Sequence, residues 1–301
     1  MKDFPKKFMV SNLLHYNLSC CAFVLSIKKI MSRIFEFIVI FRIRIWRVMM
    51  LKRLRCLAIV SGLAFSVMGS GVWINNFAMA QEKGAAYKEI DVKDGGTIAG
   101  TVKFDGDAPA AKILKVDKDE QTCGHENKVS EELVVNGESK GVKNVVVSLV
   151  DIAAGKKIEA ITTALDQKEC LFSPHVIAIP VGSSVDLLNS DNVMHNLHSW
   201  SIKNAAFNEG VSGGGKMTKK FDLAEIVKIT CDVHKWMSSF VVVKANPYFA
   251  VTNETGQFKI ENVPAGTYKI EAWQEKLGKK TGDVTVKSKE EAVADFVLTK
   301  K

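Results

Sequence analysis

The 301-residue chain is 47% hydrophobic and 25% charged, with a formal net charge of +8. That composition excludes a disordered tail or a collagen-like fibre and leaves room for one or two globular domains. The charge is unevenly spread: residues 1–80 hold 12 of the 41 Lys and Arg but only two of the 33 acids, so residues 81–301 carry 29 bases against 31 acids. A nucleic-acid partner, which needs a basic footprint on the folded part, loses its main support.

The N-terminal eighty residues read as an address. Lys52, Arg53 and Arg55 precede an apolar run from Cys56 to Ile74, and small residues follow at Ala78 and Ala80. This is the layout of a secretory signal peptide over 49–80, cleaved near Ala80; the competing reading is an uncleaved membrane anchor. Residues 1–48 fit poorly in front of it. Phe8 to Ile27 lacks charge but is diluted by polar residues, and Ile34 to Val48 is broken by Arg42, Arg44 and Arg47, which are costly at bilayer depth. We expect translation to start at Met49 or Met50, with 1–48 an over-extended reading frame. The working protein then begins near Gln81, is periplasmic or otherwise exported, and keeps no stable membrane insertion.

From Gly95 onward the pattern is strand-like. Thr97–Phe104, Val142–Val150, Val176–Gly182, Val185–Asn189, Ile226–Cys231 and Phe240–Lys244 are short runs separated by Gly, Ser, Asn and Asp clusters. No long stretch keeps a 3.6-residue apolar period, so the expected class is all-β. After Asn246 come three short strands joined by Gly-bearing turns, with Phe258 and Ile260 alternating around Lys259 and Tyr268, Ile270 and Ala272 around Lys269 and Glu271, as burial of one face demands.

The string from Thr252 through Gly256, Phe258, Ile260, Val263, Pro264, Gly266 and Tyr268 resembles the carboxypeptidase-regulatory or transthyretin-like sandwich family. That resemblance implies two earlier strands, which Gly100–Gly106 and Asn144–Leu149 supply about 90–100 residues too soon. The expected organisation is a sandwich split into 95–156 and 246–301, with 157–245 inserted between the halves. Two sandwiches in series, the first over 95–245, is the alternative.

The chemistry-bearing cluster is Cys231, His234 and Met237, spaced C-x₂-H-x₂-M after a strand, with His195 36 residues upstream of Cys231. One thiolate, two imidazoles and a thioether are the donor inventory of a trigonal His₂Cys copper site with a weak axial Met. Structural zinc prefers more thiolates and catalytic zinc a water in place of the thioether. A dinuclear copper centre needs two bridging thiolates, and the c-type haem motif C-x-x-C-H is absent.

Residues 158–244 resemble the cupredoxin (blue, type 1 copper) family, amicyanin and plastocyanin-like proteins in particular. The resembling residues are Val181-Gly182, the strand ending in Asn189, His195-Asn196-Leu197-His198, and Cys231, His234 and Met237 before Val241. The resemblance implies a Greek-key sandwich with one copper held by His195, Cys231, His234 and Met237. It makes His198 a non-ligand, and an i,i+3 pair on a strand points to opposite faces in any case. It also implies an electron port at the exposed edge of His234. Val193, Met194 and Trp236 are candidates for an apolar docking patch around it; interior packing is the other reading of those three. Lys235 stands where several relatives have Pro, and Val227 and Ile229 replace aromatics common before the Cys.

Asn196 is a candidate partner of the ligands: its backbone N–H could donate to the thiolate and its side chain tie the ligand loops together, against an ordinary turn role. Cys123 and Cys170 remain for a disulfide in an oxidising compartment, or for a second metal site with His125 and His175. Gly213-Gly214-Gly215-Lys216 lacks the context of a phosphate loop and reads as a hairpin turn, and no catalytic motif is present. The expected function is non-enzymatic: single-electron shuttling between exported redox proteins such as a c-type cytochrome or a quinoprotein-like dehydrogenase. A copper carrier, or an envelope-binding sandwich that carries a copper domain, are the alternatives.

Overall fold

The computed structural model describes residues 87–150 and 152–300. The expectations for 1–48 and for the signal peptide over 49–80 lie outside the described residues. In chain order the strands are β1 (Lys88–Glu89), β2 (Gly96–Phe104), β3 (Val146–Leu149), β4 (Ala154–Gly155), β5 (Thr162–Lys168), β6 (Leu171–Ser173), β7 (Val176–Pro180), β8 (Ser183–Asn189) and β9 (His195–Ser199). They continue as β10 (Asn208–Val211), β11 (Lys216–Phe221), β12 (Glu225–Thr230), β13 (Ser238–Lys244), β14 (Phe249–Val251), β15 (Gln257–Val263), β16 (Gly266–Gln274), β17 (Gly278–Val286), β18 (Glu291–Val293) and β19 (Phe296–Leu298). One short helix, α1 (Glu120–Cys123), lies between β2 and β3. Apart from α1 the described residues are all-β, as their short alternating runs imply. No helix among the described residues is long and apolar enough to cross a membrane.

Strands β5 to β13 build one β-sandwich. A five-stranded sheet in the order β10-β9-β12-β13-β7 faces a four-stranded sheet in the order β11-β8-β5-β6. Alternation drives the packing. In β8 every second residue from Ser183 to Asn189 is buried, and in β9 His195, Leu197 and Ser199 point inward while Asn196 and His198 do not. Leu165, Ile179, Val185, Leu187, Leu197, Val227, Ile229 and Val241 fill the space between the sheets.

The second sandwich draws on both ends of the chain. Strand β2 pairs with β15, β18 and β19, and β3 lies between β14 and β16. Its core is Ile98, Val102, Val147, Leu149, Tyr248, Ile260 and Ile270, among others. Val146 meets Val176 and Val242 in a third apolar cluster flanked by Phe240 and Trp273, so the sandwiches share a packed boundary between β3 and β16 on one side and β7 and β13 on the other. Phe240 and Trp273 cross it edge to face at 5.3 Å.

The glycine run 213–215 was expected to be a hairpin turn. It links β10 of one sheet to β11 of the other instead. Gly214, at φ +71, allows its N–H to reach Asn189 O at 2.8 Å.

Candidate metal centre

Two neighbouring segments of the five-stranded sheet carry the donors. Residues 231–237 connect β12 to β13, which are hydrogen-bonded neighbours. The connection folds on itself: Cys231 N donates to Met237 O at 3.3 Å, and Met237 N to His234 O at 2.9 Å. Strand β9 pairs with the end of β12 through Ile229 with Ser199 and Thr230 with His198, which brings His195, its first residue, alongside the loop.

His195 Nδ1 lies 2.8 Å from His234 Nδ1, and Cys231 Sγ lies 3.7 Å from His234 Nδ1. One donor atom from each of His195, Cys231 and His234 sits within 4.8 Å of the other two. The group is dry, with His195 and His234 at 0%, Met237 at 1% and Cys231 at 2% exposure. His234 N donates to Cys231 Sγ at 3.3 Å, and Asn196 N points at the same sulfur from 3.5 Å.

The far side of each imidazole is held by a carboxylate. His195 Nε2 donates to Asp191 Oδ2 at 2.8 Å, and His234 Nε2 donates to Asp119 Oδ2 at 2.8 Å. A carboxylate only accepts, so these partners assign the ring proton to Nε2 and leave a lone pair at each Nδ1. Two nitrogens so oriented at 2.8 Å repel unless a cation, either a shared proton or a metal ion, lies between them. Burial, reinforced by the neighbouring His234, holds the His195 pKa below the ordinary imidazole value despite the opposing pull of Asp191, which keeps the ring in the neutral form that binds metal. The donors therefore fit a soft or borderline cation taken by one sulfur and two nitrogens.

Asp191 is itself braced. Its Oδ1 accepts from Glu169 N at 2.7 Å and its Oδ2 from Cys170 N at 2.8 Å. Buried Asn189 positions the turn, accepting from Asp191 N at 3.0 Å and donating to Val193 O and Val211 O at 2.8 Å. Sequence reasoning placed Asn189 only at the end of a strand and gave Asp191 no part. Asp119 it missed altogether, because a residue 115 positions from its partner leaves no local pattern.

The remaining expected residues are placed as follows. Asn196 Oδ1 accepts from Asp232 N and its amide donates to Asn208, so its side chain spans from β9 to the ligand loop. His198 faces away from the donors, bonds Asp232 at 3.1 Å and stacks on Trp200 at 4.3 Å. Cys123 and Cys170 form a disulfide with Sγ atoms 2.01 Å apart. A second metal site from those cysteines with His125 and His175 is not assembled: His125 is exposed, and His175 pairs with buried Glu275.

The exposed His234 edge needs correction. The ring is fully buried, because Asp119 covers Nε2 and Trp236 lies edge-on at 5.1 Å. Of the expected docking patch, Met194 is exposed while Val193 and Trp236 are half-buried. Trp236 donates through Nε1 to Cys170 O at 2.9 Å and lines a cleft of about 440 Å³ with Lys115, Lys228 and Lys235.

The comparisons with known proteins are partial. A family described as "Polysaccharide lyase family 4, domain II" matches residues 219–294. Among solved structures, the copper-containing nitrite reductase NirK of Thermus scotoductus SA-01 is similar at 20% identity and a TM-score of 0.27, over 33% of this chain and 25% of that one. The chain thus spans about a quarter of the length of that reductase. The purple cupredoxin of Nitrosopumilus maritimus is similar at 25% identity and a TM-score of 0.24, over 29% of this chain and 100% of that one. A Cu(I) amicyanin variant is similar at 22% identity and a TM-score of 0.26, over 28% and 82%. No curated protein matches the chain.

Proposed function

We propose that this protein is an exported type 1 copper protein that passes single electrons between redox partners, its copper held by Cys231, His195, His234 and, more weakly, Met237. The carrying observation is the convergence of the two Nδ1 atoms, 2.8 Å apart, beside the Cys231 sulfur in a site closed to water. When bound, copper supplies a couple between Cu(I) and Cu(II). The chain contributes rigidity: the sulfur accepts from His234 N and Asn196 N, and both rings are pinned at Nε2, so little moves when one electron arrives or leaves. Four protein donors leave no position for a substrate, which favours a carrier of electrons over an enzyme.

The disulfide supports an oxidising, exported setting, consistent with signal-peptide cleavage near Ala80 and a periplasmic location. In this reading residues 157–245 are the copper domain, inserted into a transthyretin-like sandwich made from 95–156 and 246–301. Because the His234 edge is covered, electrons pass by the indole of Trp236, with a c-type cytochrome or a quinoprotein-like dehydrogenase docking transiently over its cleft. Trp236→Leu is then expected to slow interprotein transfer several-fold in stopped-flow mixing while the visible band is unchanged; an unaltered rate removes Trp236 from the path.

Repeated reduction and reoxidation separates the shuttle from a copper carrier. The expected result is full recovery of the Cu(II) signal over many cycles in the presence of a Cu(I) chelator. Rapid loss of metal to the chelator contradicts the shuttle and favours the carrier. The match to a polysaccharide lyase domain favours a further reading, in which the sandwich holds the protein on envelope polymers; retention on such polymers tests it.

A further inference from the structure

The carboxylates that hold the two imidazoles arrive from distant parts of the chain, and one covalent bond joins the segment that bears Asp119 to the segment that braces Asp191. Asp119 precedes α1, and its carbonyl accepts from Thr122 N at 2.9 Å and Cys123 N at 2.8 Å. Cys123 is bonded to Cys170. Across that bond, Glu169 and Cys170 aim successive N–H groups at the two oxygens of Asp191. A sulfur of the disulfide, an Asp191 oxygen and a His195 nitrogen lie within 4.8 Å of one another.

Three of the seven non-glycine residues with positive φ among the described residues lie here. Asp119 at φ +48, Glu169 at φ +53 and Cys170 at φ +55 all occupy the left-handed region without being glycine. Side chains enter that region at a cost, and the surrounding contacts must hold them there. All three serve the carboxylate–imidazole pairs. The Asp119 side chain is 43% exposed while the ring it touches is 0% exposed, so this carboxylate lies between His234 Nε2 and the surface.

We propose that Asp119 is a positioning residue of the metal centre, delivered to His234 by the Cys123–Cys170 bond. It fixes the ring, closes its Nε2 edge to solvent, and places a negative charge one imidazole away from the bound ion. Negative charge stabilises the more positive oxidation state, and a carboxylate on the far nitrogen raises the basicity of the ligating one. Asp119 therefore lowers the reduction potential. The inference about the potential rests on the copper reading above; the inference about closure does not.

Two measurements test it. In the metal-free mature chain, diethyl pyrocarbonate labelling read by peptide mass is expected to modify His234 several-fold faster in Asp119→Ala than in the wild type, with His195 unchanged. The Cys123→Ser/Cys170→Ser variant is expected to show the same gain at His234. In the copper-loaded chain, Asp119→Asn keeps an accepting oxygen of the same reach and removes the charge; its midpoint potential is expected to rise while the visible band persists. Unchanged labelling of His234 in Asp119→Ala, or an unchanged potential in Asp119→Asn, overturns the proposal. A wild-type chain that takes up no copper defeats the metal reading instead, and the labelling arm still decides whether Asp119 closes the site.

Discussion

Cys231→Ser is expected to abolish the intense visible absorption of the copper-loaded protein. The band requires a sulfur anion bonded to Cu(II), and a serine hydroxyl supplies neither the sulfur nor, at neutral pH, the anion. Loss of an outer hydrogen-bond partner alone typically lowers metal affinity about 10–100-fold, so loss of the thiolate should exceed that. The fold is expected to survive. Ser is smaller than Cys, and its hydroxyl can accept the His234 and Asn196 N–H groups that now reach the sulfur at 3.3 and 3.5 Å. A colour that persists in Cys231→Ser removes Cys231 from the ligand set.

Opening the Cys123–Cys170 bond is expected to produce the larger change in stability. The bond closes a loop of 47 residues, for which the chain-entropy argument gives about 4 kcal/mol. At about 2–4 °C per kcal/mol for a domain of this size, the Cys123→Ser/Cys170→Ser variant should melt roughly 8–16 °C lower. Both sulfurs are fully buried, so the variant also places two hydroxyls in an apolar core. Urea unfolding of the two forms, with equal slopes, measures the difference; a loss below about 1 kcal/mol would mean that the segment bearing Asp119 is held by its other contacts.

The parts of the structure that could be read from the sequence are those with strong local period or local spacing. Strands β2, β3, β7, β8, β12, β13, β15 and β16 were visible because they are rich in β-branched or aromatic residues and Gly, Ser, Asn or Asp clusters separate them. The donor loop was visible because Cys231, His234 and Met237 lie within seven residues, and β9 because His195 opens it. Strands β5, β11 and β17 were not visible. Their exposed faces carry Thr, Lys and Asp, and only a few of their residues are buried, for example Leu165 and Gln167 in β5 and Phe221 in β11. Their strand character comes from neighbours, above all the parallel pairing of β5 with β8, and not from their own propensity.

The same distinction governs the site. The expected ligand set followed from residue types in order along the chain, but the exposed His234 edge rested on resemblance and could not register Asp119. That residue lies 115 positions from the ring it touches, on a segment tied to the opposite one by the Cys123–Cys170 bond. Nothing near Asp119 in the sequence marks it out from the other aspartates of 105–119. The cover over His234 is therefore a tertiary fact, as is the bracing of Asp191 by two left-handed residues.

Electron shuttling by this chain requires Cys231, His195 and His234 to converge on one ion. The most direct measurement is a titration of the purified mature chain with Cu(II), followed by visible absorption and electron paramagnetic resonance. One equivalent is expected to generate an intense thiolate-to-copper band with the narrow hyperfine splitting of a covalent copper–sulfur bond, saturating at one ion per chain. A solution that stays colourless, with the broad splitting of copper bound to nitrogen and oxygen alone, would contradict it.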